Sequence, residues 1–557
     1  MVGVKTRTSV SSIMTAQLDS GKQLGGFNLE RNTDPEFDTS VYNIFDRTNP
    51  PSEKEGQYTE WLLPERKIQE DTTVITYTMI KQDNKFTDFA GIRMWGTAKL
   101  EKRTKNSTDA WVDVADTDNV SVVNNAWQAQ FSRIVLTINE TEITDPGNDP
   151  YPYTSYMATL FNTTPEYKKH LADELYVKDT PKTLGHVSGQ VHDKYVWTID
   201  PDAIELVPIM QPVYTKKQDG SDDLTKPMEG KANVSSAYVL NGKTVKVKRE
   251  LQEKYNEGFV KRRKTLLKQN AEEHSPGIPI MRRLDHDIVT ALSVAPPRTK
   301  IGFKFYKKNQ EFLILKDGVK HSGHEFRMRL VNMKLEIPLS KVKAKVGVPY
   351  MRMLKNPSHV PTINFTRNFT KMYNVLAESS MEFHRDNWIA GGQIPDTMIL
   401  SFVRQAAFLG DDTMNPFNFE LIEFNNINLI IDGEQEYPLP FNSNTEAGKR
   451  QLYHKMQDSC GRNQQTGYCL DITYEEFLNG YFFLYFDLTP AKDNRATKTE
   501  KRSGNLSIVL NTDGNSKHNK ESFLDKNHTN WKVLVHSVFP ASIKFYGDTV
   551  VVPQFVG

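Results

Sequence analysis

The residues best spaced for chemistry are Asp285, His286 and Asp287, where one imidazole lies between two carboxyl groups. On a β-strand the two aspartates would share one face, and His286 would point to the opposite face. General acid–base catalysis would need a third group beside this cluster, and the sequence identifies no such partner. We therefore interpret the cluster as a polar strand edge.

A metal or cofactor site has little support in the sequence. His321 and His324 lie three positions apart in a glycine-punctuated stretch, and both imidazoles could contact one metal ion. However, no carboxylate or cysteine cluster completes a zinc ligand set. The chain also lacks the phosphate-binding, nucleophile-elbow and zinc-protease motifs. We predict no catalytic residue, no metal site and no cofactor, and hence a protein that is not an enzyme.

The two cysteines, Cys460 and Cys469, enclose a polar loop. A disulfide there would constrain the loop and stabilise the fold by about 2–3 kcal/mol. The Met1-Val-Gly-Val-Lys5 start lacks the apolar core of a signal peptide. We expect synthesis in a reducing compartment and two free thiols, with a bridge as the alternative.

The charge balance argues against a nucleic-acid or membrane function. The 70 basic and 69 acidic residues leave a net charge of +1, which gives no long-range attraction to DNA or anionic lipid. We interpret the basic cluster Lys261-Arg-Arg-Lys264 as a solvated helix face, with nuclear import and a local nucleic-acid contact as alternatives. No run of about 18 apolar residues predicts a membrane-spanning segment. Direct nucleic-acid binding is not expected.

The elements that must position these residues are mostly strands. In Val74–Met79, the apolar Ile75, Tyr77 and Met79 alternate with threonines, which is typical of a strand with one buried face. Phe131–Asn139 shows the same period, and from residue 394 to 556 one short strand follows another. The 29 Phe and 22 Tyr residues suit such pleated surfaces.

Helices are predicted to be few. Thr164-Pro165 supplies an N-cap and a proline at the start of one helix. A second helix is expected over residues 247–270 and a third over residues 445–458. Thr473-Tyr-Glu-Glu476 is a capping-box pattern that predicts a short helix ending at Gly480.

The length of the chain and its polar, glycine-containing stretches predict its division into domains. A chain of 557 residues is too long for one core, so at least two domains are expected. Residues 1–57 are polar and are predicted to form an extended or partly disordered arm, which a neighbouring subunit could order. The polar, glycine-containing stretch Lys316–Gly323 marks a boundary, giving all-β units at 58–320 and 321–557. Residues 205–247 are expected to form a long solvent-facing loop.

The order of several motifs resembles a known family. The motifs are Tyr151-Pro-Tyr-Thr-Ser-Tyr-Met-Ala-Thr-Leu160, Lys307-Lys-Asn-Gln-Glu-Phe-Leu-Ile-Leu315, Asn415-Pro-Phe-Asn-Phe419, Ile430-Ile-Asp-Gly-Glu-Gln435, Asn479-Gly-Tyr481, Phe486-Asp-Leu-Thr-Pro490 and Gly504-Asn-Leu506. In this order they resemble the major capsid (hexon-like) proteins of the Polinton/Maverick–adintovirus group, in the double jelly-roll lineage.

The resemblance implies an all-β fold class with two tandem eight-stranded jelly rolls, into which short helices and long loops are inserted. It also implies pseudo-hexameric homotrimers that tile an icosahedral shell beside neighbouring capsomers and a penton or minor capsid protein. The protein would be located in the virion after synthesis in the host cytoplasm, with nuclear assembly left open. Ile389-Ala-Gly-Gly-Gln393 and Leu24-Gly-Gly-Phe27 resemble cleavage sites of adenovirus-type maturation proteases, and processing is also left open.

Two other functions stay as alternatives. A carbohydrate- or receptor-binding β-sandwich module could stack sugars on Trp95, Trp111, Trp127 or Trp388. A hydrolase on the same scaffold could use a pair among the 69 acidic residues, but sequence spacing does not identify such a pair.

Overall fold

The computed structural model describes residues 54–69, 72–80, 85–106, 108–115, 118–143, 150–181, 191–192, 196–199, 214–216, 222–227, 236–240, 243–250, 253–254, 256–270, 275–290, 294–316, 323–354, 362–376, 382–385, 393–436, 441–460, 470–489, 502–512, 530–546 and 549–551. Most of the predicted arm, His321, Cys469, Trp388 and both candidate cleavage sites lie outside these residues.

Eight strands in the first part of the chain form a two-sheet sandwich. They are β1 (Lys54–Leu62), β2 (Val74–Met79), β3 (Arg93–Thr104), β4 (Phe131–Ile138), β5 (Thr141–Glu142), β6 (Ile278–Arg283), β7 (Ile301–Lys307) and β8 (His324–Val342). One sheet has the order β1-β8-β3-β6 and the other has β2-β7-β4-β5, with antiparallel pairing throughout. This is the strand order of a jelly roll.

The second part repeats that order. Its strands are β9 (Thr362–Leu376), β10 (Glu382–Arg385), β11 (Thr397–Arg404), β12 (Phe424–Ile431), β13 (Glu434–Gln435), β14 (Phe483–Asp487), β15 (Leu506–Thr512) and β16 (Asn530–Tyr546). They form the sheets β9-β16-β11-β14 and β10-β15-β12-β13. The fold is all-β with two tandem jelly rolls, and the predicted fold class is confirmed.

The other elements are inserted between these strands. The helices are α1 (Ala126–Ala129), α2 (Tyr151–Asn162), α3 (Pro165–His170), α4 (Glu257–Leu266), α5 (Asp287–Thr290), α6 (Gln310–Leu313), α7 (Ala344–Leu354), α8 (Gln405–Leu409), α9 (Glu446–Ser459) and α10 (Tyr474–Leu478), with 3-10 turns at Phe89–Gly91 and Leu171–Glu174. Short strands lie at Lys85–Asp88, Val112–Asp113, Val120–Val122, Val191–His192, Val196–Ile199, Tyr214–Lys216, Asp222–Pro227, Ser236–Leu240, Lys243–Glu250, Glu253–Lys254, Gln269–Asn270, Ser275–Pro276, Val294–Ala295, Ile314–Lys316, Gln393–Ile394, Arg502–Ser503 and Thr549–Val551.

Strand pairing corrects the predicted boundary between the two units. β8 was assigned to the second unit, but it pairs with β1 and β3 of the first. A polar, glycine-containing stretch is as typical of a connection inside a sandwich as of a linker between two, so Lys316–Gly323 gave an ambiguous signal. By pairing, the division falls between Val342 and Thr362. The first strand also begins at Lys54, inside the predicted arm.

The predicted helices have mixed outcomes. Thr164 caps α3, and the capping box at Thr473 and Glu476 begins α10, as predicted. The helix predicted over 247–270 is limited to α4, and the predicted loop at 205–247 contains short strands. In Lys243–Glu250 the valines alternate with lysines, and this period of two favours pairing with Ser236–Leu240.

The core of the first sandwich follows the alternation read from the sequence. Ile75, Tyr77 and Met79 of β2 are buried, and Tyr77 lies opposite Phe303 of β7. Phe303 in turn lies opposite Leu136 of β4. Each inward side chain therefore packs in the space between the two sheets, where its burial stabilises the fold.

We expect Phe303→Ala to lower the free energy of unfolding by about 3–5 kcal/mol, because a fully buried ring is replaced by a cavity. Lys304→Ala, one residue later on the solvent face, should change it by less than about 0.5 kcal/mol. Urea unfolding followed by tryptophan fluorescence measures both. Equal effects of the two substitutions would contradict the assigned strand register.

Candidate functional site

Polar and aromatic side chains meet at the junction between the two jelly rolls. Helix α2 of the first roll supplies its aromatic part. The ring of Tyr156 stacks on that of Phe417, with centroids 4.5 Å apart. Phe161 meets Phe483 of β14 edge to face at 5.3 Å. Such aromatic pairs contribute roughly 0.5–1.5 kcal/mol each beyond the burial of their area, so they hold the rolls together strongly.

A buried ion pair lies beside these rings. Arg262 of α4 binds Asp179 through Nη2 and Oδ1 at 2.7 Å, and both side chains are almost inaccessible to solvent. Arg262 also donates from Nε to the carbonyl of Val122 and from Nη1 to that of Val177. The guanidinium thus meets a carboxylate and two carbonyl groups within the first roll, which offset the cost of removing it from water.

The second roll completes the coordination of Asp179. Its Oδ2 accepts a hydrogen bond from Asn415 Nδ2 at 3.0 Å, and its main-chain oxygen accepts one from the Tyr481 hydroxyl at 2.9 Å. Burial raises the pKa of Tyr481 well above its usual value, so the hydroxyl stays protonated and donates. One buried residue therefore bonds to both rolls.

Two lysines extend the junction toward α10. Lys168 Nζ lies 2.6 Å from Asp471 Oδ1 and also donates to the carbonyl of Leu160. Lys178 Nζ lies 2.8 Å from Glu476 Oε2, the same residue that closes the capping box of α10. The helix start of the second roll is thereby fixed to the first roll.

The structure corrects the interpretation of Asp285, His286 and Asp287 as a polar strand edge. The first two follow β6, and Asp287 begins α5. Asp287 accepts hydrogen bonds from the main-chain N–H and the Nδ2 of Asn368 on β9, at 3.0 and 2.7 Å. Asp285 accepts from Arg282 Nη2 at 3.0 Å. Asp287 thus joins the two rolls, whereas the bond of Asp285 stays within the first.

His286 is buried, whereas Asp285 and Asp287 are partly buried. Burial raises the pKa of Asp287 to about 6, although the hydrogen bonds from Asn368 oppose the shift. Burial lowers the pKa of His286 to about 4. Glu174, whose pKa burial raises to about 7 against the opposing charge of Arg282, lies in the same region. In each case the main cause of the shift is removal of the group from water.

A third contact crosses the junction through hydroxyl groups. Thr154 Oγ1 lies 2.9 Å from Thr370 Oγ1, which lies 2.9 Å from His536 Nδ1. Thr154 belongs to α2, and the other two residues belong to β9 and β16. Burial lowers the pKa of His536 to about 4, so its ring is neutral at pH 7.

The basic cluster at 261–264 is not a uniform solvated face. Lys261 is exposed and pairs with Glu257 one turn earlier, which fits the prediction. Arg262 is buried at the junction, so the prediction of a solvated face is wrong for this residue. Nothing in the local sequence distinguishes the two residues, because the partner of Arg262 lies at position 179.

The other candidate residues lie apart from the junction. Trp127 is fully buried and cannot stack on a sugar. The guanidinium carbons of Arg103 and Arg327 lie 4.4 and 4.1 Å from the centre of the Trp111 ring. His324 is on β8, and the Cys460 thiol donates to the Gln457 carbonyl at 3.2 Å.

The described residues offer neither a metal cluster nor a membrane-spanning helix. They contain no group of three or more His, Cys, Asp or Glu side chains able to hold a metal ion. Among the same residues, no helix combines the length and apolar character needed to cross a membrane.

Comparisons with known proteins agree in fold only. No family model and no curated protein matches the chain. A solved structure of the Sputnik virophage is similar at 10% identity over 91% of this chain and 89% of that chain, with a TM-score of 0.48. The mavirus major capsid protein is 12% identical over 100% of this chain and 97% of that chain, with a TM-score of 0.41. The Faustovirus major capsid protein is 8% identical over 89% of this chain and 92% of that chain, with a TM-score of 0.47. At these values the fold assignment rests on the strand order described above.

We expect Arg262→Met to destabilise the protein by about 3–5 kcal/mol, because it leaves the Asp179 carboxylate buried without its cation. Lys261→Met, the exposed neighbour, is the matched control and should cost less than about 0.5 kcal/mol. Adding Asp179→Leu to Arg262→Met should restore part of the loss. Urea unfolding provides the measurement, and equal costs at positions 261 and 262 would contradict the assigned junction.

The lowered pKa of His536 predicts a pH effect of defined sign. Between its folded value of about 4 and the usual 6.5, the unfolded chain binds more protons, so the stability contributed by His536 falls as the pH is lowered. Asp287 and Glu174, with raised pKa values, act in the opposite sense.

His536→Gln removes this titration and keeps a partner for Thr370. As the pH falls from about 6.5 to 4, the wild type should therefore lose stability relative to the variant. Urea unfolding at several pH values in this range tests it. A difference that does not change with pH would show that His536 is not buried as described.

Proposed function

We propose that this chain is the major capsid protein of an icosahedral virus and assembles as a pseudo-hexameric homotrimer. The observation that carries the proposal is the repetition of one jelly-roll strand order twice in a single chain. Three such chains present six similar sandwiches around one axis, which approximates sixfold packing in a flat lattice. The order of motifs that resembles the Polinton/Maverick–adintovirus group supports assignment to that group.

The junction suits such a role. A tile in a shell must keep its two sandwiches at a fixed angle, or its edges will not match those of the neighbouring tiles. The hydrogen bonds that Asn415 and Tyr481 of the second roll donate to the buried Asp179 of the first support that fixed relation. A net charge of +1 allows many copies to pack without strong mutual repulsion.

Several further features follow from this proposal. The chain divides into an arm ending near Lys54, a first roll and a second roll. Its partners are two further copies, neighbouring capsomers and a penton or minor capsid protein, and it has no enzymatic role. It resides in the virion after synthesis in the host cytoplasm, with assembly there or in the nucleus.

A receptor- or carbohydrate-binding module is the second candidate, and one observation favours it. Trp61 is 43% exposed and meets the ring of Trp95 edge to face at 5.3 Å, on the outer face of the first sheet. The partly exposed Trp61 ring beside a half-buried Trp95 is a surface on which a sugar ring could stack. A glycan array that shows no binding would remove this candidate.

Size-exclusion chromatography with light scattering tests the main proposal. We expect a mass of about 190 kDa, three times the 63.8 kDa of one chain, and trimers with a near-hexagonal outline in electron micrographs. A stable, folded monomer at micromolar concentration would contradict the proposal.

A further inference from the structure

A groove of about 1290 Å³ lies on the first roll at the place where β1 separates from β8. The last pair of these strands is Leu62 with Leu335, and the chain then turns away at Leu63. The groove runs from that point along Arg329–Lys334 of β8 and is bounded by Ile68 on one side. Leu63 is 70% exposed, which leaves an apolar side chain at the wall of the groove.

One wall of the groove is a strand edge. The main-chain N–H of Met328 points away from β3, because it donates to Gln310 Oε1 at 2.9 Å. Backbone groups alternate in direction along a strand, so those of Leu330 face the groove as well. Within the described residues, no strand pairs with this edge between Arg329 and Lys334. Such an edge can accept an extended peptide as an added strand.

The groove carries an excess of positive charge. Seven basic side chains line it, against the two carboxylates of Glu311 and Glu325. Arg103 is matched by Glu325 at 2.9 Å, but Lys67 and Arg329 lie on the rim. Arg329 is half-exposed and shares Glu101 with a second arginine, so it is only partly neutralised. An acidic, extended segment with apolar side chains is the chemistry that fits.

This chain contains one such segment. Residues 34–46, Asp-Pro-Glu-Phe-Asp-Thr-Ser-Val-Tyr-Asn-Ile-Phe-Asp, carry four carboxylates and no lysine or arginine. Their β-branched and aromatic residues, Val41, Tyr42, Ile44 and Phe45, favour a strand. The segment therefore combines the charge and the strand propensity that the groove requires.

The length of chain before β1 favours occupation by another copy. Lys54 lies at the far end of β1 from the groove, since it pairs with Val342 whereas Leu62 pairs with Leu335. Returning along β1 takes roughly 27 Å, and the eight steps from Asp46 to Lys54 span about that length only when fully extended. In cis, no slack would remain for a turn, whereas a neighbouring copy can approach the groove directly.

We propose that the groove along Arg329–Lys334 binds residues 34–46 of a neighbouring copy as an added, acidic β-strand. The inference rests on the proposed function, because it requires an assembly of copies. It adds to that function a specific connection between subunits, made by main-chain hydrogen bonds and by carboxylates against Lys67 and Arg329.

Disulfide trapping in the full-length protein tests this directly. Two copies with different tags are co-expressed, one carrying Leu63→Cys in the groove and the other Tyr42→Cys in the acidic segment. Mild oxidation should give a covalent dimer of the two tags on a non-reducing gel. Lys304→Cys, exposed on β7 outside the groove, replaces Leu63→Cys as the matched control and should give about tenfold less dimer.

Charge reversal gives a second measure. Lys67→Glu with Arg329→Glu should lower the yield of the dimer about tenfold, and Asp38→Lys with Glu36→Lys in the other copy should restore it. Unchanged thermal melting of these surface variants shows that they are folded. Loss without rescue would contradict the ionic part of the proposal.

The remaining outcomes separate the possible errors. Trapping only within one chain that carries both cysteines would overturn the assignment to a neighbouring copy. Trimers that form without any trapping would overturn the groove proposal and leave the proposed function intact. Monomers without trapping would overturn both.

Discussion

The relative position of the two jelly rolls depends on the carboxylate of Asp179. In the protein interior this charge is unfavourable unless several partners reach it together. Arg262 supplies the opposite charge from the first roll, and Asn415 supplies a hydrogen bond from the second. Because the hydrogen bond from Asn415 forms only when both rolls are in place, the native junction is favoured over looser arrangements of the same sandwiches.

The close approach of α4 to this carboxylate requires a glycine. A Cβ at Gly258 would lie 2.7 Å from Asp179 Oδ1 and 2.8 Å from Arg262 Nη1, which real Cβ atoms do not tolerate. The aromatic contacts of Tyr156 add burial, but apolar packing alone is compatible with several orientations. The directional bonds to Asp179 select one of them, so stability and specificity come from different parts of the junction.

The sequence predicted the features that depend on local pattern. The alternation in Val74–Met79 and the capping box at Thr473 are decided by neighbouring residues, and both appear as predicted. The role of Arg262 could not be predicted in this way, since Lys261 and Arg263 beside it look the same in the sequence. Its burial is decided by Asp179, which is far along the chain. The same reason explains why Asp285–Asp287 was misread, because its contact with Asn368 exists only after both rolls fold.

The assignment of strand β8 to the second roll was wrong for a related reason. A strand carries its own alternation wherever it pairs, so the pattern of His324–Val342 gave no information on which sandwich it would join. The duplication supplies the missing constraint. β16 ends the second roll and lies between β9 and β11, so the corresponding strand of the first roll must lie between β1 and β3, which is where β8 is found.

The repetition extends from the strands to the insertions. Helix α1 lies in the connection between β3 and β4, and α8 lies in the equivalent connection between β11 and β12. Helices α2 to α4 lie between β5 and β6, and α9 and α10 between β13 and β14. Because successive strands of a jelly roll run in opposite directions, these two connections leave the sandwich at the same end.

The contacts around Asp179 and Tyr156 are built from those same connections. Tyr156 and Arg262 come from the insertion between β5 and β6, Phe417 and Asn415 from that between β11 and β12, and Tyr481 from that between β13 and β14. The sheets thus provide two similar sandwiches, and the inserted segments at one end contribute the central contacts between them. A double unit can form in this way without altering the strand order of either roll.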